Sequence, residues 1–243
     1  MFGTLLNVIT ILVGGLVGVV AGNRLPEKIQ STVMAGLGLM TGVIGMSMAI
    51  TSANILIPLF SVLVGGIIGE WIAIDDRLNR FGDWLERRYG AQLGQGKVAG
   101  WSVTRGFVTA SLVFCVGPLT ILGSLQDGLL GDYQLLAVKS LLDGFAAIPF
   151  AATLGPGVLV SILTVIVVQG GISGLAILLG AGLPEVTRTT PWVVEVTATG
   201  GVLILGISLL LLDLKRIRVA NLLPAIVLAP LIVLALQALG LAF

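Results

Sequence analysis

Gly14-Gly15-Leu16-Val17-Gly18, followed by Leu25-Pro26-Glu27, returns later as Gly170-Gly171-Ile172-Ser173-Gly174, followed by Leu183-Pro184-Glu185. Working outward from this pair, Ile44-Gly45-Met46-Ser47-Met48 resembles Leu205-Gly206-Ile207-Ser208-Leu209, and Ala53-Asn54-Ile55-Leu56 resembles Ala220-Asn221-Leu222-Leu223. The matches keep their order along the chain. A third Gly-Gly-x-x-Gly, Gly65-Gly66-Ile67-Ile68-Gly69, shows that one such string arises readily in a chain with 34 glycines, so the ordered set carries the repeat.

The medium is set by composition. Of 243 residues 56% are apolar and 10% charged, and the mean hydropathy is +1.10, far from the soluble norm of about a quarter charged. Uncharged windows long enough to cross a hydrocarbon core of roughly 30 Å lie at 3–22, 31–50, 54–72, 104–123, 134–153, 156–180, 193–212 and 220–241. The expected class is therefore an all-α polytopic membrane protein of about eight spans. No basic residue precedes the first span, which is unlike a cleavable leader, so that span is expected to remain.

Eight spans place the termini and the loops after spans 2, 4 and 6 on one side. The opposite loops hold Arg24, Lys28, Arg77, Arg80, Arg87, Arg88, Lys97, Arg105, Lys215, Arg216 and Arg218, which is 11 of the 13 basic residues. Cytoplasmic loops retain Lys and Arg, so both termini are expected outside. Spans 1–3 and 6–8 then run in opposite directions, the inverted-topology repeat of many secondary transporters. The expected organisation is repeat A over 1–72, a cytoplasmic segment over 73–103, a central pair of spans over 104–153, and repeat B over 154–243.

Within 73–103, Ile74, Leu78, Phe81 and Leu85 recur at helical spacing among Asp76, Arg77, Arg80, Asp83, Glu86 and Arg87, the pattern of an amphipathic helix on the membrane surface. Gly94-Gln95-Gly96 reads as a flexible connection into span 4. Gly14, Gly18 and Gly22, Gly38 and Gly42, and Gly170 and Gly174 are spaced four apart and put a smooth strip on a helix face. Such strips serve helix packing without any substrate, and they serve a homo-oligomer equally well.

The central spans break the rules for a span. Gly117-Pro118 lies inside span 4, and Pro149 and Gly155-Pro156 lie in and after span 5. Proline removes a backbone donor, and in lipid the freed carbonyls need protein or cavity water. Gly106-Phe107 and Gly117-Pro118 recur as Gly144-Phe145 and Gly155-Pro156 with one offset, relating the two spans. They are expected to be broken helices lining a site.

Lys139 and Asp143 stand one helical turn apart in span 5, and Asp127 follows span 4 in Ser124-Leu125-Gln126-Asp127-Gly128, an echo of Ser140-Leu141-Leu142-Asp143-Gly144. Ionisable groups within spans cost several kcal/mol and usually pair or face water. A structural Lys139–Asp143 ion pair is the plain alternative to a site. The other polar residues in spans are Asn7, Asn54, Ser111, Gln169, Glu195, Thr197, Thr199 and Asn221, ordinarily helix-to-helix hydrogen bonds. Ser111 lies in broken span 4, and Asn54 and Asn221 hold matching repeat positions before Pro58 and Pro224; these three join Asp127, Lys139 and Asp143 as path candidates. Glu70, at the cytoplasmic end of span 3, has loop arginines within reach.

The absence of histidine excludes a His-ligated metal or His triad, and the single cysteine, Cys115, excludes an intramolecular disulfide. No Gly-x-Ser-x-Gly, metal cluster or phosphate loop is present, so no cofactor, metal site or enzymatic activity is expected. The basic residues follow topology and are offset by Asp75, Asp76, Asp83 and Glu86, which argues against nucleic acid.

The blocks Phe107-Val108-Thr109-Ala110-Ser111-Leu112-Val113-Phe114-Cys115-Val116-Gly117-Pro118, Leu122-Gly123-Ser124-Leu125-Gln126-Asp127-Gly128, Lys139-Ser140-Leu141-Leu142-Asp143-Gly144 and Val219-Ala220-Asn221-Leu222-Leu223-Pro224-Ala225 resemble the signature blocks of the bacterial YdfK/YqgA family of membrane proteins. The resemblance implies a multi-pass protein of the bacterial cytoplasmic membrane and brings no substrate or functional residue with it. Two functions stay open. One is a small transporter or channel for a polar solute or ion, with its path between the repeats and the central spans. The other is a scaffolding membrane protein acting through helix packing, oligomerisation and the 73–103 segment as a docking site.

Overall fold

Helices of 21 residues, about 31 Å at 1.5 Å per residue, set the scale of the computed structural model, which describes residues 1–22, 26–89, 101–115, 118–179, 187 and 189–240. They are α1 (Phe2–Gly22), α2 (Glu27–Ala49), α3 (Leu56–Ile72), α4 (Ile74–Tyr89), α5 (Val103–Cys115), α6 (Pro118–Leu129), α7 (Gln134–Leu154), α8 (Gly157–Val165), a π turn (Ile166–Gly170), α9 (Gly171–Leu179), α10 (Pro191–Leu211), a 3-10 turn (Val219–Leu222) and α11 (Pro224–Ala238). Among the described residues there is no strand. Among the described residues six segments are long and apolar enough to cross a membrane, with two bent pairs, α3–α4 at 53° and α5–α6 at 63°, raising the number to as many as eight. Large aliphatic side chains such as Val167, Leu178 and Ile67 point outward while Asn7, Glu195 and Gln169 are fully buried. Lipid as solvent explains this distribution, since it accepts Val and Leu but leaves polar groups to find partners inside.

Two compact units interleave along the chain: 1–37, 79–115 and 119–185 form the first, and 38–78, 116–118 and 186–243 the second. They cut across the linear segments expected from sequence. In the first unit α1 lies along α7 in parallel register: a Cβ at Gly14, Gly18 or Gly22 would lie 2.1–2.3 Å from the carbonyl oxygens of Gly144, Ile148 and Ala152 respectively. These glycines are thus in place for close backbone approach, as expected. A Cβ at Gly15 would collide with Leu159, which places α1 against α8 as well. Gly155, at φ +88°, turns the chain from α7 to α8 under the Trp101 ring, and a Cβ there would meet that ring at 2.8 Å.

In the second unit the close approaches run antiparallel. Gly38 meets Leu212, Gly42 meets Ser208 and Gly45 meets Leu205, so α2 packs against α10; Gly65 meets Ala225 and Gly69 meets Asn221, so α3 packs against the 3-10 turn and α11. Ser208 Oγ donates to the Gly38 carbonyl at 2.6 Å. Val193, Leu203, Ile207 and Leu211 of α10 are buried in this core.

Two expectations are corrected. Pro149 does not break span 5: α7 runs through it to Leu154, the loss being confined to the one carbonyl, Phe145, that its nitrogen would have served. Among the described residues Gly174 has nothing within 4 Å of an added Cβ and Gly170 meets only the Met1 methyl, so the strip in span 6 makes no close backbone approach to them. The close approach of this span to α1 falls earlier, at Gly15 against Leu159 of α8. The amphipathic helix forms as α4, with Phe81 edge-on to Phe107 at 5.6 Å. Gly117, Arg24, Leu25, Lys97, Arg188, Gly94-Gln95-Gly96 and Leu183-Pro184-Glu185 lie outside the described residues.

Candidate functional site

The break in span 4 builds the site. Between α5 and α6 stands Pro118, whose nitrogen carries no hydrogen, so the Phe114 carbonyl loses the donor that a continuous helix would supply four residues on. Lys139 of α7 replaces it, with Nζ donating to Phe114 O at 2.7 Å, and Thr120 Oγ1 approaches the same oxygen at 3.4 Å. The ammonium also pairs with Asp143 one turn along α7. Asn7 of α1 completes the group, its Nδ2 donating to Asp143 Oδ2 at 2.9 Å. All are buried, while Asn7 Oδ1 has no partner.

Four helices, α1, α5, α6 and α7, thus converge on one cluster. The lysine satisfies a helix break and a carboxylate together, so any change in Asp143 charge or in the α5–α6 angle is felt by the other through Lys139. Ionisable groups inside a membrane span are costly unless paired, and this pair is tied to a helix bend.

The remaining path candidates are placed as follows. Asp127, on α6, is buried in the same unit, and its Oδ1 lies 3.0 Å from the Met1 α-ammonium while Oδ2 has no partner. Ser111, one turn before Phe114 on α5, shares a hydrogen bond with Thr164 of α8 at 2.9 Å. Asn54 and Asn221 belong to the second unit and are not part of the Lys139 cluster. The backbone amides of Ala53 and Asn54 and the Ser52 hydroxyl donate to Glu195 of α10, at 2.8, 3.2 and 2.7 Å, and Asn54 Oδ1 caps Leu56 N. Asn221 donates through Nδ2 to Glu70 and accepts from Asp75 N at 2.7 Å. Glu70 also binds Arg218, the loop arginine that sequence placed within its reach. Each asparagine therefore organises an interhelix turn held by a glutamate.

Sequence reasoning missed the Phe114 carbonyl and Thr120 as members of the cluster, although the i, i+4 relation of Phe114 to Pro118 is readable. It missed the clasp made by Glu195, whose signal was its being the one acid in the run 191–212. The π turn that holds Gln169 left no sequence signal. Among the described residues no group of three or more Cys, Asp or Glu side chains is placed to hold a metal ion.

Compared with known proteins, the chain matches over residues 2–234 the family described as "Protein of unknown function (DUF554)". It is 30% identical over 248 residues to the "Uncharacterized membrane protein YdfK" of Bacillus subtilis (strain 168), covering 100% of both chains. It is 30% identical over 228 residues to the "Uncharacterized protein YqgA" of Escherichia coli (strain K12), covering 93% of this chain and 94% of that one. No solved structure matches.

Proposed function

The chain belongs to the DUF554 family, and from that premise we propose that it is a small transporter or channel of the bacterial inner membrane, passing a polar solute or ion. The observation that carries this reading is the buried Lys139–Asp143 pair seated on the Phe114 carbonyl of a broken span. A solute or ion that neutralises Asp143 competes with Lys139, loosens its hold on Phe114 and lets α6 move against α5. Asn7 keeps the carboxylate aimed at α1, so the path runs beside α1, α5, α6 and α7 in the first unit. The protein does no covalent chemistry in this reading.

The inverted repeat is part of the proposal. Its counterpart spans, 1 with 6, 2 with 7 and 3 with 8, pack on each other antiparallel through Gly15–Leu159, Gly45–Leu205 and Gly65–Ala225. Counterpart helices that meet head to tail are what an axis in the membrane plane produces, and the basic loops on the cytoplasmic side then turn both termini outward. Flux of candidate ions and polar solutes into proteoliposomes tests the function. Asp143→Asn and Lys139→Met are expected to abolish a flux that the parent supports; flux equal to the parent in both variants removes the assignment.

Scaffolding is favoured by one observation, the backbone-to-backbone fit of α1 on α7 through Gly14, Gly18 and Gly22. A parent protein with no flux for any solute, together with partners lost on deleting 73–96, would establish it instead.

A further inference from the structure

Outward of the Lys139 cluster, the first unit holds buried polar atoms that have no partner: Thr4 Oγ1 and Asn7 Oδ1 on α1, Ser124 Oγ and Asp127 Oδ2 on α6, and both amide atoms of Gln169 in the π turn. The side chains of Asn7, Ser124 and Gln169 are fully buried, and Asp127 is 3% exposed. The three elements meet at this level. Met1 joins α1 to α6 through its ammonium on Asp127 and reaches Gly170 with its methyl, and Ser173 Oγ donates to Ser124 O at 2.9 Å, joining α9 to α6. The register agrees: Gly15 faces Leu159 in the antiparallel α1–α8 pair, and eleven residues outward on each helix lead to Thr4 on one and Gly170 on the other. Asp127 lies one turn from Ser124, and Gln169 one turn from Ser173. π turns are rare and occur frequently at functional sites.

We infer that these residues form a binding site for a hard monovalent cation of the sodium or potassium type. The unpartnered atoms are oxygens apart from Gln169 Nε2, and carboxylate, amide and hydroxyl oxygens suit hard cations. A single carboxylate, whose other oxygen already holds an ammonium, provides too little charge for calcium, whose sites take 6–8 oxygen ligands rich in carboxylates. Met1 itself is half exposed, so its end of the site lies near solvent. Asn7 is the link inward, with Nδ2 on Asp143 and Oδ1 toward the ion, so an occupied site holds Asp143 in place. That coupling role rests on the transport reading; the binding does not.

The test is thermal unfolding of the untagged full-length protein in detergent, in sodium, potassium and choline chloride at equal ionic strength, repeated with Asp127→Asn and Gln169→Met. A ligand that binds only the native state raises the unfolding temperature with its concentration. The expected result is a saturable rise with sodium or potassium over choline, its half-saturating concentration raised at least tenfold in both variants, or in Gln169→Met alone if Asp127→Asn does not fold. No cation-specific rise in the parent means that the site holds water only, and a rise retained unchanged in Gln169→Met means a general salt effect; either overturns the inference. A rise without solute flux keeps the site and removes the coupling, and flux without a rise keeps transport and removes the site.

Discussion

At the residue scale the account turns on Lys139. Its ammonium meets a carboxylate and a helix carbonyl whose other partners, Asn7 and Thr120, are neutral, so removing either charge strands the other. Asp143→Leu leaves Lys139 buried and unpaired, and breaking such a pair costs about 3–5 kcal/mol. Lys139→Met with Asp143→Leu together is expected to recover most of that loss, because an apolar pair of similar volume is often neutral or stabilising. Denaturant unfolding of the single and double variants in detergent checks this; a double variant as unstable as the sum of the singles would deny the pairing. Glycines provide a second contrast. A Cβ at Gly69 would lie 1.8 Å from the Asn221 carbonyl oxygen, whereas at Gly174 it meets nothing within 4 Å. Gly69→Ala is expected to cost about 1–3 kcal/mol or more through overpacking, and Gly174→Ala to be neutral or to stabilise by up to about 1 kcal/mol through helix propensity. Equal unfolding temperatures for the two variants would refute the packing described.

At the element scale the turns are set by glutamates. Glu195 gathers Ser52, Ala53 and Asn54 at the start of α3, a carboxylate placed on the amides of a helix N-terminus, where its charge is stabilised. Glu195→Gln substitutes a neutral amide for a charged acceptor and is expected to weaken the clasp by about 1–3 kcal/mol, read as faster hydrogen exchange at Ala53 and Asn54 with α11 unchanged. Exchange equal to the parent at those amides would show that the turn holds without the carboxylate. How far sequence led is visible in the same elements. Span positions follow from apolar length, and the break at Pro118 follows from a missing donor; both are local properties. That Pro149 leaves α7 intact depends on its neighbours, and so does the outward face of Gly174. The partners of Lys139 and Glu195 lie 25 and more than 140 residues away, beyond what spacing along the chain encodes.

At the scale of the whole molecule, the repeat and the charge asymmetry act together. In the proposed topology of eight crossings Thr51 lies outside and Leu214 inside, both in exposed positions. With Cys115 replaced by Ser, a single cysteine at position 51 is expected to react with an impermeant maleimide added to intact cells, and one at 214 only after permeabilisation; the reverse pattern would invert the topology, and labelling of both from outside would break the span parity on which the inverted repeat rests. The central claim is that a polar path in the first unit reaches the break in span 4, where the chain carries its own probe in Cys115. The most direct measurement is the rate at which this thiol, in native membranes, is modified by a small charged methanethiosulfonate. The account predicts measurable modification of Cys115, slower than that of an exposed cysteine at position 51 because the thiolate is the reacting form, and slowed further by a transported solute. No modification of Cys115 while the position-51 control reacts fully would show that water does not reach the break, and the path would be contradicted.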